Sequence, residues 1–402
     1  MANRMSRGEF VALVAMMFAT IAFSIDSMLP ALPNIGAQLS PNDVNKAQLI
    51  LTSFVLGMGI GTFFTGPLSD AFGRKPVIYV GSALYIIAAA AAWASSSLEM
   101  LLVARVFQGI GCAAPRVVAM AIIRDLYSGR EMARIVSIAM MIFTLVPAIA
   151  PMLGAGVIAL TGWRGIFASF ILFSLITIVW MGLRLPEPLS AENRRPLRLP
   201  LILDAARQMF THPTVRLSIL VQTLCLGMLF TMLTMVQPVY DVIHDSADSF
   251  PFWFGFVALM AGSASLLNAA LVIKLGMRRI VTWALGAQVL FTTAVIALNA
   301  ADLSPTMSFA VFVSWQTAVF FMAGMTMGNL NAIAMEPMGH IAGMAASVIG
   351  AISTVFAAAI AAPIGQMFDG SITPLAVGIL AMSAAGFGLM LHMGRIENRL
   401  PA

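Results

Sequence analysis

The chain contains twelve apolar runs of about twenty residues or more, and few charged side chains interrupt them. A hydrocarbon core about 30 Å thick requires about 20 helical residues, and lipid accepts only backbones whose hydrogen bonds are made internally. The runs are continuous, without the alternation of barrel strands, so they predict transmembrane helices. The predicted spans are Phe10–Pro33, Ala47–Leu68, Val77–Leu98, Met100–Ile123, Ile135–Leu160, Gly165–Leu183, Leu217–Tyr240, Phe250–Ile273, Ile280–Ala301, Pro305–Met335, Ile341–Phe368 and Pro374–Met393.

The composition excludes a water-soluble protein. Hydrophobic residues make up 60% of the 402 residues and charged residues only 10%, whereas soluble domains carry roughly a quarter charged residues. The first apolar run is too long for the core of a signal peptide, so we predict no cleavable leader. Cys112 and Cys225 both lie inside apolar runs, which argues against a disulfide framework and against a cysteine metal site.

The basic residues predict the orientation of the chain. If both termini are cytoplasmic, the termini and the loops on that side hold eighteen of the 22 Lys and Arg residues. The opposite side receives only Lys46 and Arg164, and Arg105 and Arg116 lie inside the fourth run. This asymmetry is a strong positive-inside signal, and it accounts for the net charge of +5 without nucleic acid binding.

A polar segment divides the chain into two predicted halves. Residues 1–184 form an N-terminal six-helix half, residues 185–215 a cytoplasmic linker rich in proline, and residues 216–402 a C-terminal six-helix half. Within the linker, Leu201–Phe210 is expected to form a short amphipathic helix on the membrane surface. The sequence Gly-Arg-Lys at residues 73–75, after the second run, has a weak counterpart in Gly-Met-Arg-Arg at residues 276–279, after the eighth run. This similarity favours two pseudo-symmetric halves.

Several motifs in the first half resemble those of the major facilitator superfamily. Residues 66–75 match the pattern G-x-L-x-D-x-x-G-R-K at every fixed position, and residues 105–111 match R-x-x-Q-G-x-G. The fifth run carries Pro147, Pro151, Gly154 and Gly156, similar to the antiporter motif of drug exporters, and Asp26 is followed by Pro30 and Pro33. Together they resemble the bicyclomycin-resistance (Bcr/CflA) type of bacterial exporter. One departure is Pro115-Arg116, where that family is expected to have small or apolar residues.

The resemblance implies an all-α membrane protein with twelve helices in two halves, located in the bacterial inner membrane. It implies proton-coupled antiport that exports a small amphipathic compound by alternating access. The expected partners are the small-molecule substrate, protons and the lipid bilayer, with no nucleic acid, cofactor or metal, and the chain is expected to act as a monomer. The alternative is a proton symporter that imports a small anionic or zwitterionic metabolite.

Asp26 is the only acidic residue well inside an apolar run. Charged side chains in the membrane are costly, and they usually face a cavity and mark a function. We therefore predict that Asp26 exchanges protons or binds substrate. The alternative is that its carboxyl group is wetted near the outer end of helix 1 and steadies the turn at Pro30.

Arg105 and Arg116 are predicted to line a central substrate cavity together with Asp26. At about 1.5 Å per residue, Arg105 lies at a depth similar to that of Asp26, so we expect the two to be coupled directly or through water. The alternative is that Arg105 hydrogen-bonds backbone carbonyls and braces its half. Arg116 follows by eleven residues, nearly on the same helical face, and favours an anionic or zwitterionic substrate. The alternative for Arg116 is snorkelling toward Asp125 or Glu131.

Two further groups are predicted to act in the conformational change. Gly66, Asp70, Gly73, Arg74 and Lys75 are expected to form a latch between the halves, and the alternative is a signal for topology alone. Pro147, Pro151, Gly154 and Gly156 predict a bend in helix 5, because proline removes backbone hydrogen bonds and glycine permits close packing. Ordinary kinked packing is the alternative for this second group.

Other functional classes have no support in the sequence. A membrane enzyme is not indicated, because the chain has no His-Glu-x-x-His, no Gly-x-Ser-x-Gly and no pair of intramembrane Asp residues. A nucleotide-driven pump is equally unsupported, because the chain has no Gly-x-x-x-x-Gly-Lys-Ser/Thr sequence.

Overall fold

The structure is a computed structural model that describes residues 5–194, 204, 207–301 and 303–397. Within these ranges there are helices and connecting segments but no strand. Twelve of the helical segments are long and apolar enough to cross a membrane. We number their main helices α1 Arg7–Asp26, α2 Leu49–Phe72, α3 Arg74–Trp93, α4 Leu98–Leu126, α5 Gly129–Thr161, α6 Arg164–Arg184, α7 Pro213–Pro238, α8 Phe250–Leu275, α9 Met277–Asn299, α10 Pro305–Met335, α11 Ala342–Gln366 and α12 Thr373–Glu397.

The predicted fold class is confirmed, and most helix ends lie within a few residues of their predicted positions. The first span is the main difference. It was predicted as one helix, Phe10–Pro33, but α1 ends at Asp26 and is followed by a single 3-10 turn, Leu29–Ala31, and a short helix, Leu32–Leu39. Pro30 and Pro33 stand at the start of these two elements, where proline is tolerated. Of the predicted surface helix Leu201–Phe210, residues 204 and 207–210 are helical, and the other five residues lie outside the described part of the chain.

The chain forms two compact units, Met1–Leu199 and Pro200–Ala402. In the first unit, α4 packs closely against α2 and α3, α1 packs against α5, and α3 packs against α6. The second unit repeats this pattern. There α10 packs against α8 and α9, α7 packs against α11, and α9 packs against α12. The same set of helix pairs therefore builds the core of each unit.

The beginning of the predicted linker packs against the first unit. Leu185, the residue directly after α6, is buried, and its amide donates to the carbonyl of Met181 at 2.9 Å. Glu187, two residues later, accepts hydrogen bonds from the first amides of α3. The first residues after α6 therefore belong structurally to the first unit.

Candidate functional site

Asp26 is the last residue of α1, at the break in the first span. Its side chain is buried, with 5% of its surface exposed. Among the described residues, its carboxyl group has neither a hydrogen-bond donor nor a cation within bonding distance. The carboxyl group of Asp26 therefore lies inside the first unit at the C-terminus of α1. The C-terminus of a helix carries a partial negative charge.

Arg105 stabilises the end of α1. It is fully buried in α4, and its Nη2 donates to the carbonyl of Ser24 in the last turn of α1 at 3.0 Å. A cation at the carboxyl end of a helix satisfies an open carbonyl and opposes the helix dipole. Arg105 therefore places its positive charge at the backbone two residues before Asp26.

The other donors of Arg105 are also used. Its Nε donates to the carbonyl of Ile50 in α2 at 3.3 Å, and its Nη1 donates to Oε1 of Gln108 at 2.8 Å. The guanidinium carbon lies 4.3 Å from the ring centroid of Phe54, a cation–π contact. One side chain thereby connects α1, α2 and α4.

The relationship between Asp26 and Arg105 differs from the direct form of the predicted coupling. No ion pair joins them among the salt bridges of the described residues, because the guanidinium is occupied by two backbone carbonyls and Gln108. Full enclosure of Arg105 within its own unit also differs from the predicted position on a cavity wall. The contacts match the alternative in which Arg105 braces its half, and they leave the carboxyl group of Asp26 unpaired.

Two hydroxyl groups complete the buried cluster around Arg105, and sequence reasoning did not single them out. The Oγ of Ser24 lies 2.6 Å from the hydroxyl oxygen of Tyr85, which reaches in from α3. Ser24 also donates to the carbonyl of Thr20 at 2.6 Å, which assigns the donor role between the two hydroxyls to Tyr85. Tyr85 is one of two tyrosines in the third apolar run, and a tyrosine in such a run is only a weak signal.

The motif residues of α5 divide between two faces. Gly154 is buried against the segment after Asp26, and a Cβ added to it would lie 2.1 Å from the carbonyl oxygen of Ser27. Gly156 is exposed, with no atom within 4 Å of an added Cβ. Pro147 and Pro151 lie inside α5, which remains one helix from Gly129 to Thr161. The close contact with the first span therefore depends on Gly154.

Arg116 is exposed in the membrane-spanning part of α4. Among the described residues it has no hydrogen bond and no ion pair. The two acids proposed as its alternative partners are bound elsewhere, since Asp125 pairs with Arg74 and Glu131 pairs with Arg7. The snorkelling contact is therefore not formed, and no described residue pairs with the guanidinium of Arg116.

The predicted latch residues build a network within the first unit. Arg74 is buried, and its side chain donates to Asp70 at 2.6 Å, to Asp125 at 2.7 Å and to Ser69 at 2.8 Å. Asp125, at the end of α4, has a side chain that is 18% exposed, whereas that of Asp70 is 42% exposed. This network connects the ends of α2, α3 and α4.

Glu187 joins the same network, although the sequence placed it in the linker. Its two carboxylate oxygens accept from the amides of Arg74 and Lys75 at 2.8 and 2.9 Å, so it satisfies open donors in the first turn of α3. Lys75 in turn donates from Nζ to the carbonyl of Leu185 at 2.6 Å. Gly73, between α2 and α3, has a φ of +103°, which glycine adopts without strain.

The second unit has a neutral polar cluster in its interior. Tyr240 donates to Oε1 of Gln316 at 2.9 Å, and Trp315 donates from Nε1 to the hydroxyl oxygen of Thr292 at 3.0 Å. All four side chains are fully buried. In the described part of the chain, no three His, Cys, Asp or Glu side chains group closely enough to hold a metal ion. The buried charged residues of the described chain, Asp26, Arg74 and Arg105, all lie in the first unit.

Comparisons with known proteins agree with this architecture. Residues 12–363 match the family model of the Major Facilitator Superfamily. The chain is 30% identical over 359 residues to a bicyclomycin resistance protein homolog of Haemophilus influenzae, covering 88% of both chains. It is 26% identical to the multidrug resistance protein MdtL of Vibrio parahaemolyticus, covering 81% of both. The crystal structure of a D-xylose-proton symporter has a similar fold, with a TM-score of 0.75 at 14% identity, covering 95% of this chain and 97% of that one.

Proposed function

The chain belongs to the major facilitator superfamily of membrane transporters, and we propose that it is a proton-coupled antiporter that exports a small amphipathic compound by alternating access. The observation that carries the proposal is Asp26. Its carboxyl group is buried and has no hydrogen-bond donor or cation among the described residues, so it is free to take up and release a proton during a transport cycle.

Arg105 has a positioning role in this proposal. Its hydrogen bond to the carbonyl of Ser24 fixes the end of α1, and the carboxyl group of Asp26 follows two residues later. The positive charge also opposes the negative end of the helix dipole beside the carboxylate. A change of charge at Asp26 therefore acts at a helix break that α4 holds from one side and Gly154 of α5 contacts from another.

Export is favoured over import by two observations. The curated relatives quoted above carry names that refer to bicyclomycin resistance and multidrug resistance. Residues 147–156 resemble the antiporter motif, and Gly154 among them contacts the segment next to Asp26. We propose a location in the bacterial inner membrane with both termini in the cytoplasm, supported by the concentration of Lys and Arg in alternate loops.

Transport in proteoliposomes tests the coupling. The substrate is first chosen from compounds to which expression of the chain makes a drug-sensitive host resistant. An acidic lumen is expected to drive accumulation of that substrate in vesicles that contain the full-length protein, because protons leave as substrate enters. A symporter would require the opposite pH gradient, so the sign of the gradient separates export from the alternative of import.

Asp26→Asn is expected to abolish accumulation against the gradient and to retain exchange of labelled for unlabelled substrate. Asp43→Asn is the matched control, because Asp43 is an exposed carboxylate in the same unit whose ion-pair partner is Lys46, 3.8 Å away. If the Asp26→Asn protein still concentrates substrate in response to the pH gradient, Asp26 is not the coupling group.

A further inference from the structure

The exposed side of α4 changes along its length. Beyond Glu99 in the first turn, the exposed residues of its first half are apolar, namely Met100, Val103 and Phe107. Phe107 and Arg116 are nine residues apart, which at about 100° per residue places them on opposite sides of the helix. The first face has the composition expected of a surface in contact with lipid, and Arg116 is directed away from it.

A lipid-facing position for Arg116 is also unfavourable on energetic grounds. Arginine within a membrane span is costly unless it faces water, pairs with an acid or bonds backbone carbonyls. Arg116 has no such bond among the described residues, yet it is exposed. Arg105, eleven residues earlier on nearly the same face, has all three of its donor nitrogens occupied. Arg105 therefore has a structural role, whereas the guanidinium of Arg116 is available to a ligand.

We propose that Arg116 is the specificity-determining residue of the transport site and that it binds an anionic group of the substrate, such as a carboxylate, phosphate or sulfonate. This inference rests on the proposed function, since it names the substrate class of the same transporter. A guanidinium group binds such groups through two parallel hydrogen bonds, which gives directional selectivity in addition to charge attraction. The transported compound is then an amphipathic anion, or a zwitterion whose anionic end contacts α4.

Arg116 is expected to act separately from the proton site. It lies eleven residues from Arg105 along α4, about 16 Å of helical rise, and Arg105 contacts the backbone beside Asp26. The two roles can be tested independently, because binding of an anionic group is assayed at Arg116 and proton coupling is assayed at Asp26 with a neutral compound.

The test uses two probes that differ by one charge, dansylglycine as the carboxylate and dansylglycinamide as the neutral amide. Full-length protein in proteoliposomes is assayed for concentration-dependent uptake of each probe with an acidic lumen. Arg116→Gln is expected to raise the KM for the carboxylate at least tenfold and to change that for the amide less than twofold. Arg116→Lys, which keeps the charge but loses the bidentate geometry, should give an intermediate KM for the carboxylate.

Arg130→Gln provides the matched control, because Arg130 is an exposed arginine in the first turn of α5. It is expected to leave both KM values unchanged. Equal losses for the two probes in Arg116→Gln would overturn the proposal in favour of a structural role, as would wild-type protein that neither binds nor transports the carboxylate. The proposed antiport would still stand in both cases if the protein transports a neutral compound uphill and if this transport requires Asp26. A failure of the Arg116 proposal can therefore be distinguished from a failure of the proposed antiport.

Discussion

Gly154 of α5 packs against the backbone of Ser27, the residue that follows Asp26, so closely that a Cβ on Gly154 would lie 2.1 Å from the carbonyl oxygen of Ser27. No real Cβ occupies such a position, so one of the two backbones would have to move. The segment that contains the candidate proton site is therefore fixed on one side by α5 and on another by Arg105 of α4.

Gly154→Ala is expected to impair transport strongly, because the added methyl group pushes α5 away from the break in the first span. Overpacking of this kind typically costs about 1–3 kcal/mol. We expect uphill transport in proteoliposomes to fall at least tenfold and the melting temperature to fall as well. Gly156→Ala tests the same motif at an exposed position with free space around it, and transport within twofold of wild type is expected. Equal effects of the two variants would contradict a role for the contact with Ser27.

The sequence predicted the fold class because a charge-poor run of about twenty residues has few structural alternatives. It also predicted Asp26 and Arg105 as important, because charges are rare in apolar runs. It did not predict how Arg105 is bound. Its partners on α1 and α2 are the carbonyls of Ser24 and Ile50, and a backbone carbonyl is present at every residue regardless of its type. No residue pattern therefore distinguishes bracing from pairing.

Glu187 illustrates a second limit. It lies in a polar segment rich in proline, which composition alone assigns to a linker. Its contact with the first turn of α3 depends on tertiary packing that brings the end of α6 beside α3. The sequence likewise left open whether Arg116 pairs with Asp125 or Glu131, because both acids are close in the chain. In the described part of the structure each acid pairs with a different arginine.

The double variant Asp26→Asn with Arg105→Gln distinguishes bracing from charge pairing. If the two charges neutralised each other directly, removing both would restore much of the stability lost in Arg105→Gln. Because Arg105 instead bonds two carbonyls and Gln108, we expect no rescue. Thermal unfolding of the purified proteins measures this, with Arg105→Gln lowering the melting temperature by several degrees and the double variant remaining at least as low. Recovery in the double variant would show that the charges are paired.

Tyr240→Phe is expected to destabilise the second unit, because it leaves Oε1 of Gln316 buried without its donor. The loss of a hydrogen bond to a buried acceptor typically costs about 1–3 kcal/mol. Tyr79→Phe is the control, since Tyr79 lies partly exposed on α3. Denaturation in a mild detergent is expected to show a lower midpoint for Tyr240→Phe only. An unchanged midpoint would mean that the buried amide finds another partner.

Glu187→Gln is expected to loosen the start of α3 without unfolding the unit. The carboxylate accepts from two consecutive amides, and an amide side chain retains only one acceptor oxygen and loses the favourable charge at a helix N-terminus. A loss of about 1.4 kcal/mol corresponds to tenfold faster exchange of a locally opening amide, so hydrogen exchange at Arg74 and Lys75 is the appropriate measurement. Glu192→Gln changes an exposed carboxylate five residues further along and should leave these rates unchanged. Equal rates in Glu187→Gln and wild type would mean that the start of α3 is held by the side-chain network of Arg74 alone.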